Sequence, residues 1–171
     1  MPTDIFVLSN YHSYKGGQNP NFDKSSSMLL DFKQGKYLAI EFWKALVVDK
    51  IRAITGEPFY IATVPSSTAG KSHPGFQALI PKLAQRLPII NKDYNLIKRK
   101  STIDKLATGG NRSLSTHMSS LKVPHISVEK APVILLDDVT TSGNSLKAAI
   151  TLLSHARYNV IAAVILGKTV D

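Results

Sequence analysis

The chain has 171 residues, of which 43% are hydrophobic, and a formal net charge of +9, so it is long enough for one domain with an ordinary core. It contains no cysteine, which excludes disulfides, thiolate zinc sites and a cysteine nucleophile. The opening "MPTDIFVLSNYHSYKGG" has neither the basic leader nor the apolar run of a signal peptide, and no stretch reaches the roughly 18 apolar residues of a membrane span. We therefore expect a cytoplasmic protein without membrane contact.

The predicted elements alternate between helices and strands along the chain. Apolar residues at helical spacing predict three helices, in "GKYLAIEFWKALVVDKI", "GFQALIPKLAQRL" and "GNSLKAAITLLSHAR". Pro81 should kink the second helix or delay its start. Short apolar runs predict three strands, in "PFYIATVP", "VILLDD" and "NVIAAVILG". Strands without polar alternation are typical of a parallel sheet, so we predict an α/β fold with a mainly parallel open sheet flanked by helices.

The positive charge is concentrated in one stretch. Between Lys71 and Arg112 the sequence has nine Lys and Arg residues but only two acids. Such a charge indicates either an anionic partner, a nucleic acid or a phosphorylated small molecule, or simply a solvated basic face. The overlapping segment Lys100 to Val123 is polar and weakly periodic, so we expect a long loop that is functional or disordered. Lys100 to Ser120 should be the most mobile part of the protein.

Two adjacent acids, Asp137 and Asp138, follow four apolar residues at the end of a predicted strand. Ligands of open α/β sheets bind beyond the carboxyl ends of the strands. The acids suit hydroxyl donors or a metal, and the backbone amides of the next loop, which opens a helix, suit a phosphate. That loop consists of Thr140, Thr141, Ser142, Gly143, Asn144 and Ser145. A ribose 5-phosphate has both hydroxyl groups for the acids and a phosphate for the loop. The alternative interpretation is an acidic turn with Ser145 as a helix N-cap.

These residues carry a family resemblance. "VILLDDVTTSGNS" resembles the PRPP-binding signature of type I phosphoribosyltransferases, with Thr140 where many members carry an apolar residue. Three further segments resemble the ComF-like branch of that family: "LLDFKQGKYLAIEFW", "VPSSTAGKSHPGFQALIPKLA" and "LIKRKSTIDKLATGGNRSL". The chain departs from this branch at Pro74, where an arginine is usual, and in lacking the zinc-binding cysteines of many relatives.

The resemblance implies one phosphoribosyltransferase-like domain over residues 1–171. Residues 1–57 would form a small hood and the first helix, and residues 58–171 the PRPP-binding core. The implied activity, part of nucleotide metabolism, transfers the phosphoribosyl group of PRPP to a nitrogen acceptor and releases pyrophosphate. Asp137 and Asp138 would be the catalytic residues, gripping the ribose hydroxyls and favouring a cationic ring, while Mg²⁺ would be held mainly through PRPP.

The resemblance also implies a pyrophosphate loop at Ser66, Ser67 and Lys71. "GKS" matches the end of a nucleotide P-loop, but Pro65 stands where that motif needs glycine; a plain connecting loop remains open. Arg112, with other basic residues from Lys98 onward, would close over the site. The five histidines show no metal-ligand spacing and are interpreted as surface or packing residues, and no side chain is an obvious general base.

An alternative function keeps the fold without transfer. The chain would then be a PRPP- or nucleotide-sensing regulator, or a DNA-uptake or processing factor, whose basic surface binds nucleic acid. The expected partners are therefore PRPP or a nucleotide monophosphate, and nucleic acid in the alternative. A homodimer is also left open, and the sequence does not identify the acceptor.

Overall fold

A computed structural model describes residues 2–91, 93–104 and 112–170. Over these ranges the main sheet has five strands. In spatial order these are β1 (Asp4–Val7), β7 (Asn159–Thr169), β6 (Pro132–Thr140) and β3 (Tyr60–Thr63), and the two-residue β2 (Asn10–Tyr11) pairs with the end of β7. All of these pairings are parallel. The predicted α/β class with a mainly parallel sheet is confirmed.

The helices lie between the strands in the sequence. They are α1 (Lys24–Lys33), α2 (Tyr37–Ile54), α3 (Pro74–Ala84), α4 (Leu114–Ser120) and α5 (Asn144–His155), preceded by a single 3₁₀ turn at Lys15–Gly17. An antiparallel ribbon pairs β4 (Lys98–Arg99) with β5 (Leu121–Lys122). Helices α2, α3 and α5 confirm the three predicted helices. Within the described ranges, no helix combines the length and the apolar character needed to cross a membrane.

The central strand β6 is buried on both faces of the sheet. Ile134 and Leu136 of β6 belong to a core that α1, α2 and α3 cover, whereas Val133 and Leu135 belong to a second core that α5 covers. This arrangement follows from the period of two along a strand, and it explains why the predicted strands lack polar alternation. Trp43 is fully buried in the first core.

Helix α3 corrects one expectation about a proline. The helix begins at Pro74 and continues through Pro81 to Ala84, so Pro81 does not delay its start. Pro74 fits the first helical position, where a missing N–H costs nothing. The apolar residues Phe76, Leu79, Ile80 and Leu83 are all buried in the first core, and this packing offsets the hydrogen bond that Pro81 cannot make.

The polar segment after residue 100 contains more regular structure than the sequence indicates. Residues 105–111, which belong to the segment expected to be mobile, lie outside the described residues. Beyond them, Ser113 begins α4 by accepting a hydrogen bond from the backbone N–H of Thr116, at 3.3 Å. Met118 packs against the second core, so this part of the segment is a short docked helix and not a loop.

The first 57 residues, assigned by resemblance to a hood and first helix, take part in the main fold. Strands β1 and β2 pair with β7, and α1 and α2 cover one face of the sheet. The N-terminal segment therefore extends the same sheet that carries the predicted binding core.

Candidate functional site

A cleft of about 300 Å³ lies beyond the carboxyl ends of β3 and β6, and we call it the main cleft. It brings together seven of the predicted site residues: Ser66, Ser67, Lys71, Arg112, Asp137, Asp138 and Ser145. Its lining also includes four Lys, Arg and His residues that were not assigned to the site: Lys33, His73, Arg99 and His117. Its position at the ends of parallel strands is where ligands of α/β sheets bind.

Asp138 is held in place by three groups. His73 Nε2 donates to Asp138 Oδ2 at 3.0 Å, and Lys33 Nζ lies 3.8 Å from the same oxygen. The other oxygen accepts the backbone N–H of Val139 at 2.7 Å. Burial raises the pKa of Asp138, but the His73 hydrogen bond and the charge of Lys33 outweigh it, so the pKa is lowered overall. Asp138 is therefore the ionised member of the pair.

Asp137 lies in a different environment although it is the next residue. It is only 5% exposed, and its Oδ1 accepts the backbone N–H of Asp138 at 3.0 Å. Its Oδ2 is buried and has no hydrogen-bond partner in the described part of the chain. Burial, followed by the charge of Asp138, raises the pKa of Asp137 well above its ordinary value. The pair thus combines one charged carboxylate with one that favours its neutral form.

Histidine 73 links the start of α3 to Asp138. Its Nδ1 accepts the backbone N–H of Phe76 at 3.2 Å, which makes it the N-cap of α3. Because Nδ1 accepts, this network assigns the ring proton to Nε2, the atom that faces Asp138. A histidine interpreted from sequence as a surface or packing residue is therefore the principal partner of a predicted catalytic residue.

A glycine allows α1 and α3 to approach each other at this point. A Cβ atom on Gly75 would lie 2.3 Å from the backbone oxygen of Phe32, so no larger residue fits without movement. Phe32 immediately precedes Lys33, and Gly75 follows His73 by two residues. The close approach therefore delivers Lys33 from one helix and His73 from the other to the same carboxylate.

The opposite wall of the main cleft is basic. Arg99 is 7% exposed, and its guanidinium donates to the backbone oxygens of Ser66 and Pro65 and to the hydroxyl of Ser120. Burial, and then the charge of Arg112, lowers the pKa of Arg99, but an arginine stays protonated at any physiological pH. Neither Arg99 nor Arg112 forms an ion pair with a carboxylate in the described part of the chain, so this wall favours an anion.

Histidine 117 lies in the same basic wall. It is 4% exposed, and its Nδ1 is buried without a hydrogen-bond partner within the described ranges. Burial, followed by the charges of Arg99 and Arg112, lowers the pKa of His117. Burial and these two positive charges therefore favour the neutral ring, and an anion bound beside it would favour its protonation.

The loop after the acids has the predicted turn into a helix. Gly143 has φ of +79° and is the N-cap of α5 without a side-chain bond, so the alternative that Ser145 caps this helix is wrong. The backbone N–H groups of Ser145 and Leu146 have no acceptor among the described residues, and the buried Thr140 hydroxyl has no partner there either. Unpaired donors at a helix N-terminus suit a phosphate.

Other residues of this loop do not line the main cleft. Thr141 shares a hydrogen bond with the hydroxyl of Thr169 at 3.0 Å, and Asn144 Nδ2 donates to the backbone oxygen of Arg112 at 3.2 Å. Ser142 Oγ lies 3.4 Å from the backbone nitrogen of Asn144. These contacts fix the loop's shape and tie it to the basic wall, while Ser145 is the loop residue that reaches the cleft.

The predicted pyrophosphate loop forms a third side of the main cleft. Ser66 Oγ accepts the backbone N–H of Thr68 at 3.1 Å, and Ser67 O accepts that of Ile103 at 3.0 Å. Gly70, with φ of +74°, turns the chain before Lys71. Ser67 and Lys71 both line the cleft, in keeping with a phosphate-binding role.

No family model and no curated protein matches the chain. Within the described ranges, no three His, Asp or Glu side chains are grouped so that they could hold a metal ion. The function is therefore inferred from the geometry and charge of the main cleft.

Proposed function

We propose that the protein binds PRPP in the main cleft and transfers its phosphoribosyl group to a nitrogen acceptor, releasing pyrophosphate. One observation carries the proposal: an acid pair, one oxygen of which is buried without a described partner, lines the same cleft as Arg99 and Arg112, which form no ion pair with a described carboxylate. A ligand with both sugar hydroxyls and phosphates satisfies both sides at once.

The ligand's groups can be assigned to the parts of the cleft by their charge. The 5-phosphate would lie at the amides of Ser145 and Leu146. The ribose hydroxyls would lie at Asp137 and Asp138, where Asp137 Oδ2 has no partner among the described residues. The diphosphate would face Ser67, Lys71, Arg99 and Arg112. This placement puts hydroxyl donors at the acids and phosphates at the cations and at the backbone N–H groups of α5.

The chemistry follows from where charge develops. The bond between C1 of the ribose and the pyrophosphate oxygen breaks, a bond from C1 to the acceptor nitrogen forms, and the ring becomes cationic in between. The Asp138 carboxylate, kept ionised by His73 and Lys33, stabilises that positive charge, and the basic wall stabilises the departing pyrophosphate. No side chain of the cleft is assigned to proton transfer.

Magnesium would enter with the ligand. The described residues offer no group of three ligands, but the free oxygen of Asp137 fits a water or hydroxyl on an ion that the diphosphate carries. When bound, Mg²⁺ supplies charge neutralisation of the leaving group. The cytoplasmic location expected from the sequence is part of the same proposal.

The direct test is ligand-dependent melting of the full chain. PRPP with Mg²⁺ at a hundred times its Kd should stabilise the fold by about 2.7 kcal/mol. Asp138→Asn should lose most of that gain, whereas the exposed Asp49→Asn on α2 should retain it. The same melting curves without ligand show whether Asp138→Asn still folds. A parent protein that PRPP does not stabilise would refute the proposal.

A regulator that binds the same ligand without transfer is the rival function. Incubation with PRPP, Mg²⁺ and either nucleobases or ammonia separates the two, because the enzyme releases pyrophosphate and a sensor does not. Binding to nucleic acid with steep loss of affinity in salt, without any effect of PRPP, would favour the nucleic-acid form of the rival.

A further inference from the structure

A second cavity of about 450 Å³ lies beside the main cleft. The two share the wall formed by residues 64–66, 71–73 and Arg99, and the second cavity extends from this wall toward the ribbon of β4 and β5. It is large enough for a nucleotide-sized ligand. The proposed phosphoribosyl chemistry uses Lys71, His73 and Arg99 of the shared wall and no other residue of this cavity's lining.

The ribbon presents three lysines to this cavity. Lys98 of β4 stands directly opposite Lys122 of β5, and Lys100 lies two residues further along the same face. Arg99 and Leu121, on the other face, are buried. None of the three lysines forms an ion pair in the described part of the chain, and like charges directly opposite each other destabilise a strand pair. The ribbon thus concentrates positive charge, although repulsion between its lysines destabilises the pairing of β4 with β5.

The remaining lining supports a specific occupant. Lys71 adds a further ammonium from the shared wall, and no described residue lining the cavity is a carboxylate. Away from the lysines the cavity is lined by Tyr94, which packs on the first core, and by the amide side chains of Asn95 and Gln77. An aromatic ring and amides are suited to a heterocyclic base, and clustered ammonium groups to a chain of phosphates.

We propose that this second cavity binds a nucleoside polyphosphate. Its phosphates lie on Lys98, Lys100 and Lys122, with Lys71 at the shared wall, and its base lies against Tyr94. The site is separate from the acids of the main cleft, so it does not depend on the proposed transfer of a phosphoribosyl group.

The test measures equilibrium binding of ATP and GTP to the full chain, with inorganic tripolyphosphate and a single-stranded oligonucleotide as further probes. Lys98→Gln with Lys122→Gln should weaken nucleotide binding about tenfold or more, since each charged contact contributes strongly. The exposed pair Lys130→Gln with Arg52→Gln lowers the net charge equally and should leave binding unchanged. Should the double variant fail to fold, Lys100→Gln alone should still weaken binding.

Several outcomes would overturn the inference. Unchanged nucleotide binding by the Lys98→Gln, Lys122→Gln variant would overturn it. Tripolyphosphate that binds as tightly as ATP and GTP would also overturn it, because the base would then contribute nothing to binding. Binding of the oligonucleotide alone would assign the ribbon to nucleic acid. Asp138→Asn separates this inference from the proposed function: it should remove most of the PRPP stabilisation but leave nucleotide binding at the ribbon intact.

Discussion

The two walls of the main cleft are built in different ways. The acid wall lies at the end of a long central strand, and Asp138 is fixed by groups from α1, α3 and its own backbone. The basic wall rests on two-residue strands and a seven-residue helix, and Nδ1 of its His117 has no hydrogen-bond partner in the part of the chain that the structure describes. Asp138 is therefore fixed by the protein's own groups, whereas Arg99 and His117 of the basic wall have no carboxylate partner among the described residues.

The largest expected effect on stability comes from disrupting the contact between α1 and α3 that supports the acid wall. Gly75→Ala would put a methyl group 2.3 Å from the backbone oxygen of Phe32, and separating α1 from α3 should cost about 1–3 kcal/mol of unfolding free energy. Gly56→Ala is the matched control, because nothing lies within 4 Å of its Cβ position. Urea denaturation measures both; equal stabilities would show that the close approach is not needed.

The next largest effect comes from removing His73, which connects the start of α3 to Asp138. His73→Ala loses both the cap of α3 and the hydrogen bond to Asp138, which should cost about 1 kcal/mol. The pKa of Asp138 should then rise toward its ordinary value, and PRPP should bind more weakly. His155→Ala, at the exposed end of α5, is the control. Chemical-shift titration of the Asp138 carboxyl would contradict the assignment if its pKa stayed low.

The two acids could be predicted because they lie in one contiguous sequence motif. Their partners could not, because they come from distant parts of the chain. Asp137, Asp138 and the loop to Ser145 form one uninterrupted motif, so a strand, a turn and a helix start are all visible in the sequence. The partners of Asp138 come from α1 and from the cap of α3, and His73 lies 65 residues away. The placing of His73 just before a Pro-Gly helix start was the available signal, since this is an N-cap position.

The fold shows the same division between local and tertiary information. The three strands and three helices with strong apolar patterns were predicted, and the structure confirms them. Strands β1 and β2 are too short to show a pattern and exist because the edge of β7 offers them partners. Helix α4 has polar residues over most of its length and depends on the Ser113 cap and on docking beside α5.

A smaller effect tests the basic wall through pH. Because the pKa of folded His117 lies below the ordinary value, the unfolded chain binds more protons below about pH 6.5, and stability falls as pH decreases through that value. His117→Gln should remove this part of the loss. The free energy of unfolding of the variant should therefore rise relative to that of the parent as pH falls below about 6.5. Denaturation at pH 5, 6 and 7.5 measures it; parallel curves would contradict a buried neutral ring.

The smallest effect at low pH distinguishes the two acids. The raised pKa of Asp137 means that the folded protein retains a proton that the unfolded chain releases above about pH 4, so the parent loses stability as pH rises toward the folded pKa. Asn at this position resembles the neutral acid and keeps the oxygen that accepts from Asp138. Asp137→Asn should therefore match the stability of the parent within about 0.5 kcal/mol near pH 4 and become relatively more stable as pH rises.

Asp138→Asn should instead become less stable than the parent as pH rises. The lowered pKa of Asp138 adds stability above about pH 4, and Asn cannot supply the charge that His73 and Lys33 contact. Denaturation series for both variants decide the matter: if the two change stability with pH in the same direction, the division into one neutral and one charged acid is wrong.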